Sequence, residues 1–167
     1  MKRFWTYTEC YVKELYEQLQ IFSPEQLDMK IIAKKLDVKI FYWEEKSQGI
    51  IYDNMCAIFI DFRNSIEHQW QDFCHELAHV LLHIGIQDKL PKMYIEYQEH
   101  KANQFMYHAA IPTFMLDRLS IFDCSKHNIR LVQQIFHVEE NFAIKRLNQY
   151  IQRRQSILNW NSLIALD

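Results

Sequence analysis

Five consecutive residues, His75-Glu76-Leu77-Ala78-His79, place two imidazoles at i and i+4 with a carboxylate beside the first. On a helix such residues lie about one turn apart on a shared face, so both rings can reach one ion. Imidazole is a preferred zinc ligand, and a glutamate next to the first histidine can stand beside a bound water as general base without binding the metal. The spacing is short enough to arise by chance, so the faces of the helix decide its weight. At about 100° per residue, Ile66, Trp70, Phe73, Leu77, Leu81 and Ile84 gather on one side, and His68, Asp72, His75, Glu76, His79 and His83 on the other. Solvated helix faces are normally rich in Lys and Glu, whereas this stretch has no Lys or Arg between Asn64 and Gln87. A histidine-lined cleft fits better than a solvated face without metal.

A catalytic zinc takes three protein ligands and keeps a fourth position open, so a third ligand is expected nearby. On the wheel of the next helix, Ile95, Ala102, Met106 and Ala110 fall within about 60° of Glu99, which puts that carboxylate at the centre of an otherwise apolar face. A carboxylate there needs a partner: the metal, or a Lys or Arg in a buried ion pair. Glu96 and His100 lie nearer the edge of the face, and His108 points the opposite way. His83 sits two turns from His75, where contact with a metal ligand or with substrate is expected. Cys74 leans to the apolar side and reads as a core thiol. Tyr94 and Tyr97 are candidates for polarising a carbonyl.

The elements that must position these residues follow from patterning. Residues 6–20 read as an amphipathic helix, and Ser23-Pro24-Glu25-Gln26 as a capping box opening a second helix to about Asp37. VKIFYW (38–43), then segments near 50–53 and 56–60, read as strands of a small, mostly antiparallel sheet, with a turn at Ser47-Gln48-Gly49. The histidine helix is expected over 65–84, with Asn64 as N-cap and Gly85 past its last turn; the Glu99 helix over 94–111, stopped by Pro112; further helices over 126–136 and 139–154. Packed together, these make an α+β fold.

Composition narrows the chemistry. With 167 residues and only two glycines, Gly49 and Gly85, neither a P-loop nor a dinucleotide fingerprint can be written. A formal charge of -2 argues against a general nucleic-acid or membrane-surface binder. The four cysteines are scattered without a CxxC pair and the first ten residues lack a secretory apolar region, so a cytoplasmic protein is expected. Six of the eight histidines fall between His68 and His108.

The run His75 to His83 (HELAHVLLH), followed twenty residues after His79 by Glu99-His100-Lys101-Ala102-Asn103-Gln104-Phe105 and closed by Pro112, resembles the ImmA/IrrE family of zinc metallopeptidases. The resemblance implies a single metallopeptidase domain over 1–167, with a zincin-like core (1–112) and a helical C-terminal subregion (113–167). It implies one zinc ion per chain held by His75, His79 and Glu99, in the gluzincin manner, with Glu76 as catalytic base. The substrate class it implies is a cognate helix-turn-helix transcriptional repressor of a prophage or mobile element. After Phe105 the chain departs from the family pattern with Met106-Tyr107-His108, which adds His108 to Asn103, Tyr97 and His83 as candidates for contact with substrate or with a ligand. The alternative is a non-proteolytic zinc-containing regulator acting through its C-terminal helices. Their Lys126, Arg130, Lys145, Arg146, Arg153 and Arg154 outnumber Glu139 and Glu140, and the turn at Phe136-His137-Val138 resembles a helix-turn-helix, so direct DNA contact is a minority expectation beside a plain charged solvent face.

Overall fold

The computed structural model describes residues 5–53, 55–82 and 91–164, with side chains through residue 159. Helix α1 (Tyr7–Gln18) starts behind a reciprocal capping box, in which Glu9 N donates to Thr6 Oγ1 and Thr6 N to Glu9 Oε2. The box at Ser23 also forms, yet it serves only a 3-10 turn, Pro24–Gln26. Leu27 then turns extended, and Asp28 caps a separate helix α2 (Met29–Lys35) by accepting from Ile31 N. The continuous helix expected over this stretch is therefore two pieces, because a second N-cap residue competes for the start.

Three strands follow, β1 (Val38–Trp43), β2 (Gln48–Tyr52) and β3 (Met55–Asp61), in the order β1-β3-β2. β2 pairs antiparallel with β3, and β1 pairs parallel with β3, so the sheet is mixed. The mostly antiparallel sheet expected from sequence is corrected at that second pairing. The most apolar strand, β3, with Ala57, Ile58 and Ile60 buried, takes the centre, and residues 44–47 cross the end of β3 to lay β2 on the far edge. Gly49, expected in the turn, lies within β2; the tight turn comes later, with Asp53 in the left-handed region at φ 46°.

Helix α3 (Ile66–Leu82) carries both histidines. Its N-cap is Ser65 rather than Asn64, since Ser65 Oγ accepts from His68 N and Ser65 O from Gln69 N. Trp70, Phe73, Cys74, Leu77 and Ala78 are buried against the sheet and α4, while Ile66, at the open first turn, stays 74% exposed. The expected end of this helix at Gly85, and His83 with it, lie outside the described residues. Helix α4 (Lys92–Ala110) runs along α3 and buries Ala102, Phe105 and Ala109. Pro112 stops it and opens the one-turn α5 (Thr113–Leu116). Helices α6 (Lys126–Phe136) and α7 (Glu140–Ile164) complete the fold, joined through His137 at φ 52°; α7 runs ten residues beyond its expected end at 154. One continuous set of buried side chains, among them Tyr16, Ile58, Phe73, Leu77, Phe105 and Leu147, links helices and sheet. Among the described residues no helix is long and apolar enough to cross a membrane.

The cationic C-terminal face expected from sequence loses members to the interior. Arg146 is 1% exposed and donates to Ile111 O and Thr113 Oγ1. Arg153 pairs with Glu9, and Arg154 donates to Tyr150. A charged helix position reads as solvent-facing until a buried acceptor is found for it.

Candidate metal centre

Helix α3 presents His75 and His79 on the side away from Phe73 and Leu77. Ala78 on α3 and Ala102 on α4, both fully buried, are small enough to let the two helices approach closely. At that approach Glu99 of α4 extends its carboxylate to the imidazoles. His75 Nε2 and His79 Nε2 lie 3.0 Å apart, with Glu99 Oε2 3.4 Å from the first and Oε1 3.3 Å from the second. Among the described residues these three form the group of ligand-type atoms close enough together to hold a metal ion.

The donor set fits zinc. Bonds of about 2.0–2.1 Å to a tetrahedral ion place neighbouring ligand atoms about 3.3–3.4 Å apart, close to the separations of 3.0, 3.3 and 3.4 Å found here. The two ring nitrogens face each other, so at most one can usefully carry a proton between them, whereas a cation satisfies both lone pairs and the carboxylate together. Burial lowers the pKa of His75 and favours the neutral, ligating imidazole, against the opposing pull of the Glu99 charge. The side chains of His75 and His79 are 18% and 10% exposed and that of Glu99 43%, so one side of the cluster opens to solvent. A centre with three protein donors and an open side is the arrangement that admits water or substrate.

Glu76 is held apart from the three. It is 8% exposed, and its Oε2 accepts from Gly49 N of β2 at 2.8 Å. Burial raises its pKa to about 7; the Gly49 amide and Lys46 pull it down, and Asp72 and Glu99 push it further up. A cation beside it favours the ionised form.

The other sequence candidates are placed as follows. Asn103 is exposed and donates to the backbone oxygen of Glu99, one turn back on α4. Tyr97 is 55% exposed and lines a groove of about 250 Å³ with Tyr94, Tyr7, Tyr11 and Gln98, with the Lys101 ammonium over its ring. His108 lies about half a turn of helix around from Glu99, beside Glu9, Arg146 and Arg153. Cys74 is fully buried, and burial pushes its thiol pKa well up. Gly49 and Ser47 were not singled out for the site in sequence, although an isolated glycine inside a strand is a known sign of close backbone approach.

Comparison with known proteins is consistent with this geometry. A peptidase-family model, the IrrE N-terminal-like domain, matches residues 25–148. The chain is 40% identical over 157 residues to the phage-like element PBSX protein XkdA of Bacillus subtilis (strain 168), an alignment that spans 94% of this chain and 79% of that one. It is 32% identical over 148 residues to the uncharacterized protein YqaB of the same organism, spanning 89% and 86%.

Proposed function

This chain belongs to the IrrE N-terminal-like family of metallopeptidases, and from that premise we propose that it is a zinc endopeptidase that cleaves a cognate helix-turn-helix transcriptional repressor and so derepresses genes of a prophage or mobile element. The observation that carries the reading is the convergence of two imidazoles and a carboxylate on one solvent-open point, with a separate buried carboxylate alongside. A merely structural metal site has no use for that fourth group.

In this reading His75, His79 and Glu99 hold the ion, which when bound supplies Lewis acidity toward the scissile carbonyl and toward water. Glu76 moves the proton. With Oε2 tied to the Gly49 amide, its Oε1 takes a proton from the attacking water and returns it to the leaving amine nitrogen. β2 is an edge strand, and Gly49 turns its N–H away from β3 toward Glu76, so the unpaired edge borders the base. An extended polypeptide can add along such an edge. The association with a prophage or mobile element is supported by the name of the XkdA relative, which ties that protein to a phage-like element. The non-proteolytic alternative draws less support, because Arg146, Arg153 and Arg154 are engaged within the molecule.

Unregulated cleavage would endanger a dormant element, so control by partner, proximity or substrate conformation belongs to the proposal. The test is to incubate the zinc-loaded protein with any helix-turn-helix protein encoded beside it. A single site-specific cut that vanishes in Glu76→Gln, with zinc retained, is expected. A cut that persists in that variant sinks the mechanism, and salt-dependent DNA binding without any cut favours the regulator.

A further inference from the structure

Two hydrogen bonds join β2 and the residue before it to one face of α3. Ser47, 5% exposed, donates from Oγ to Asp72 Oδ2 at 2.6 Å and accepts from Asp61 N of β3 at 3.0 Å. Two residues on, Gly49 N donates to Glu76 Oε2 at 2.8 Å. The spacings match: two residues of extended chain rise about 6.6 Å, and the four residues from Asp72 to Glu76 rise about 6.0 Å along a helix. A strand and a helix can therefore be pinned at both points without distortion.

The pinning needs glycine at position 49. A Cβ there would stand 2.9 Å from Glu76 O and 3.0 Å from Val80 Cγ2. The first of these is helix backbone, which cannot swing aside, so any side chain pushes β2 off α3. The requirement comes from this contact alone, since the Gly49 backbone is not in the left-handed region and sits in regular pairing with Ile58.

We propose that Gly49 is the positioning residue for Glu76, and that the Ser47–Asp72 bond sets the register that delivers the Gly49 amide to it. The amide engages one carboxylate oxygen and leaves the other available for proton transfer. Ser47 transmits the position of β3 to the strand, so the sheet, rather than a neighbouring side chain, fixes the orientation of the base. This rests on the reading of Glu76 as general base; the hydrogen bond itself does not.

The chain has only two glycines, so protein labelled with [15N]glycine gives two backbone amide signals, and Gly85→Ala identifies the one from Gly49. An edge-strand amide that points away from its partner strand exchanges quickly with solvent unless something else binds it. The Gly49 amide of the full chain, zinc-free and zinc-loaded, is expected to exchange about 10–100-fold more slowly than in Glu76→Ala, with Glu76→Gln keeping most of the protection because its amide oxygen still accepts. Equal exchange in wild type and Glu76→Ala overturns the proposal. In the cleavage assay with the candidate repressor, Gly49→Ala is expected to bind zinc at wild-type stoichiometry and lower kcat at least about tenfold with little change in KM, Ser47→Ala doing the same more weakly. A folded, zinc-bound Gly49→Ala with wild-type kcat also overturns it. Should Gly49→Ala fail to fold, the exchange comparison decides alone. Protection as expected with no repressor cut by wild type removes the peptidase reading and leaves the strand-to-helix bond standing.

Discussion

Helix α4 carries a polar cluster on each side: Glu99 meets His75 and His79 on one, and His108 stands beside Glu9, Arg146 and Arg153 on the other. The second cluster draws most of its partners from within, although His108 Nδ1 is buried without a hydrogen bond among the described residues. Glu9 accepts from Thr6 N, Thr6 Oγ1 and Thr113 Oγ1 and pairs with Arg153 at 3.3 Å; Thr113 in turn accepts from Arg146. The first cluster turns two ring nitrogens and a carboxylate toward a common point, with at most one proton between the nitrogens. Buried polar groups that find most of their hydrogen bonds among themselves hold a fold together, and polar groups that converge with too few protons to share await something from outside. The two sets use similar residue types, and the difference lies in the balance of donors and acceptors.

The sharpest way to break the comparison is Glu76→Gln. Peptidase activity should fall by about 10²–10⁴-fold while metal analysis still finds the zinc; a variant as active as wild type ends the case for the α3 side. On the opposite side, Glu9→Ala removes the carboxylate that balances buried Arg146 and should cost about 3–5 kcal/mol in urea unfolding, with the zinc affinity of the folded protein unchanged. A loss below about 1 kcal/mol would show that this cluster is not structural. Glu99→Ala should do the reverse: zinc binding weakens by at least about 10–100-fold in chelator competition, and the metal-free protein keeps its stability within about 0.5 kcal/mol.

The smallest effect is on pH dependence. Burial, then the charges of Arg146 and Arg153, push the His108 pKa down to about 3, against the opposing pull of Glu9. In the unfolded chain it returns to about 6.5, so between those values the unfolded state binds a proton that the folded state refuses. Stability is therefore complete above about pH 7 and falls as pH drops through 6.5, by about 1–2 kcal/mol between pH 7 and 5. His108→Gln should flatten that limb of a pH series of unfolding curves; an unchanged limb would mean that the folded histidine accepts its proton in the ordinary range.

What could be read in advance was local. The HELAH run, its two-sided helix and Glu99 on the next apolar face are periodicities within single elements, and α1, α4 and α6 begin within two residues of expectation. What could not be read depends on partners distant in the chain. The parallel β1–β3 pairing leaves no mark in alternating residues, because strand direction is set by the path of residues 44–47. Arg146 reads as solvated until Thr113 and Ile111 arrive from across Pro112. Within elements, competition between adjacent cap residues decided Ser65 over Asn64, and Asp28 against a continuous helix. Gly49 looked like turn chemistry because its contact with Glu76 spans 27 residues.

The absence of a side chain at Gly49 also has a genetic consequence. A metal ligand has tolerable substitutes, since aspartate for glutamate or cysteine for histidine keeps a donor in reach. Every missense change at codon 49 adds a Cβ to space already held by the backbone of Glu76, so that position has no conservative replacement. A lineage that retains the whole HELAH and Glu99 pattern could still be silenced there, and an inventory of metal ligands would score the silenced copy as intact.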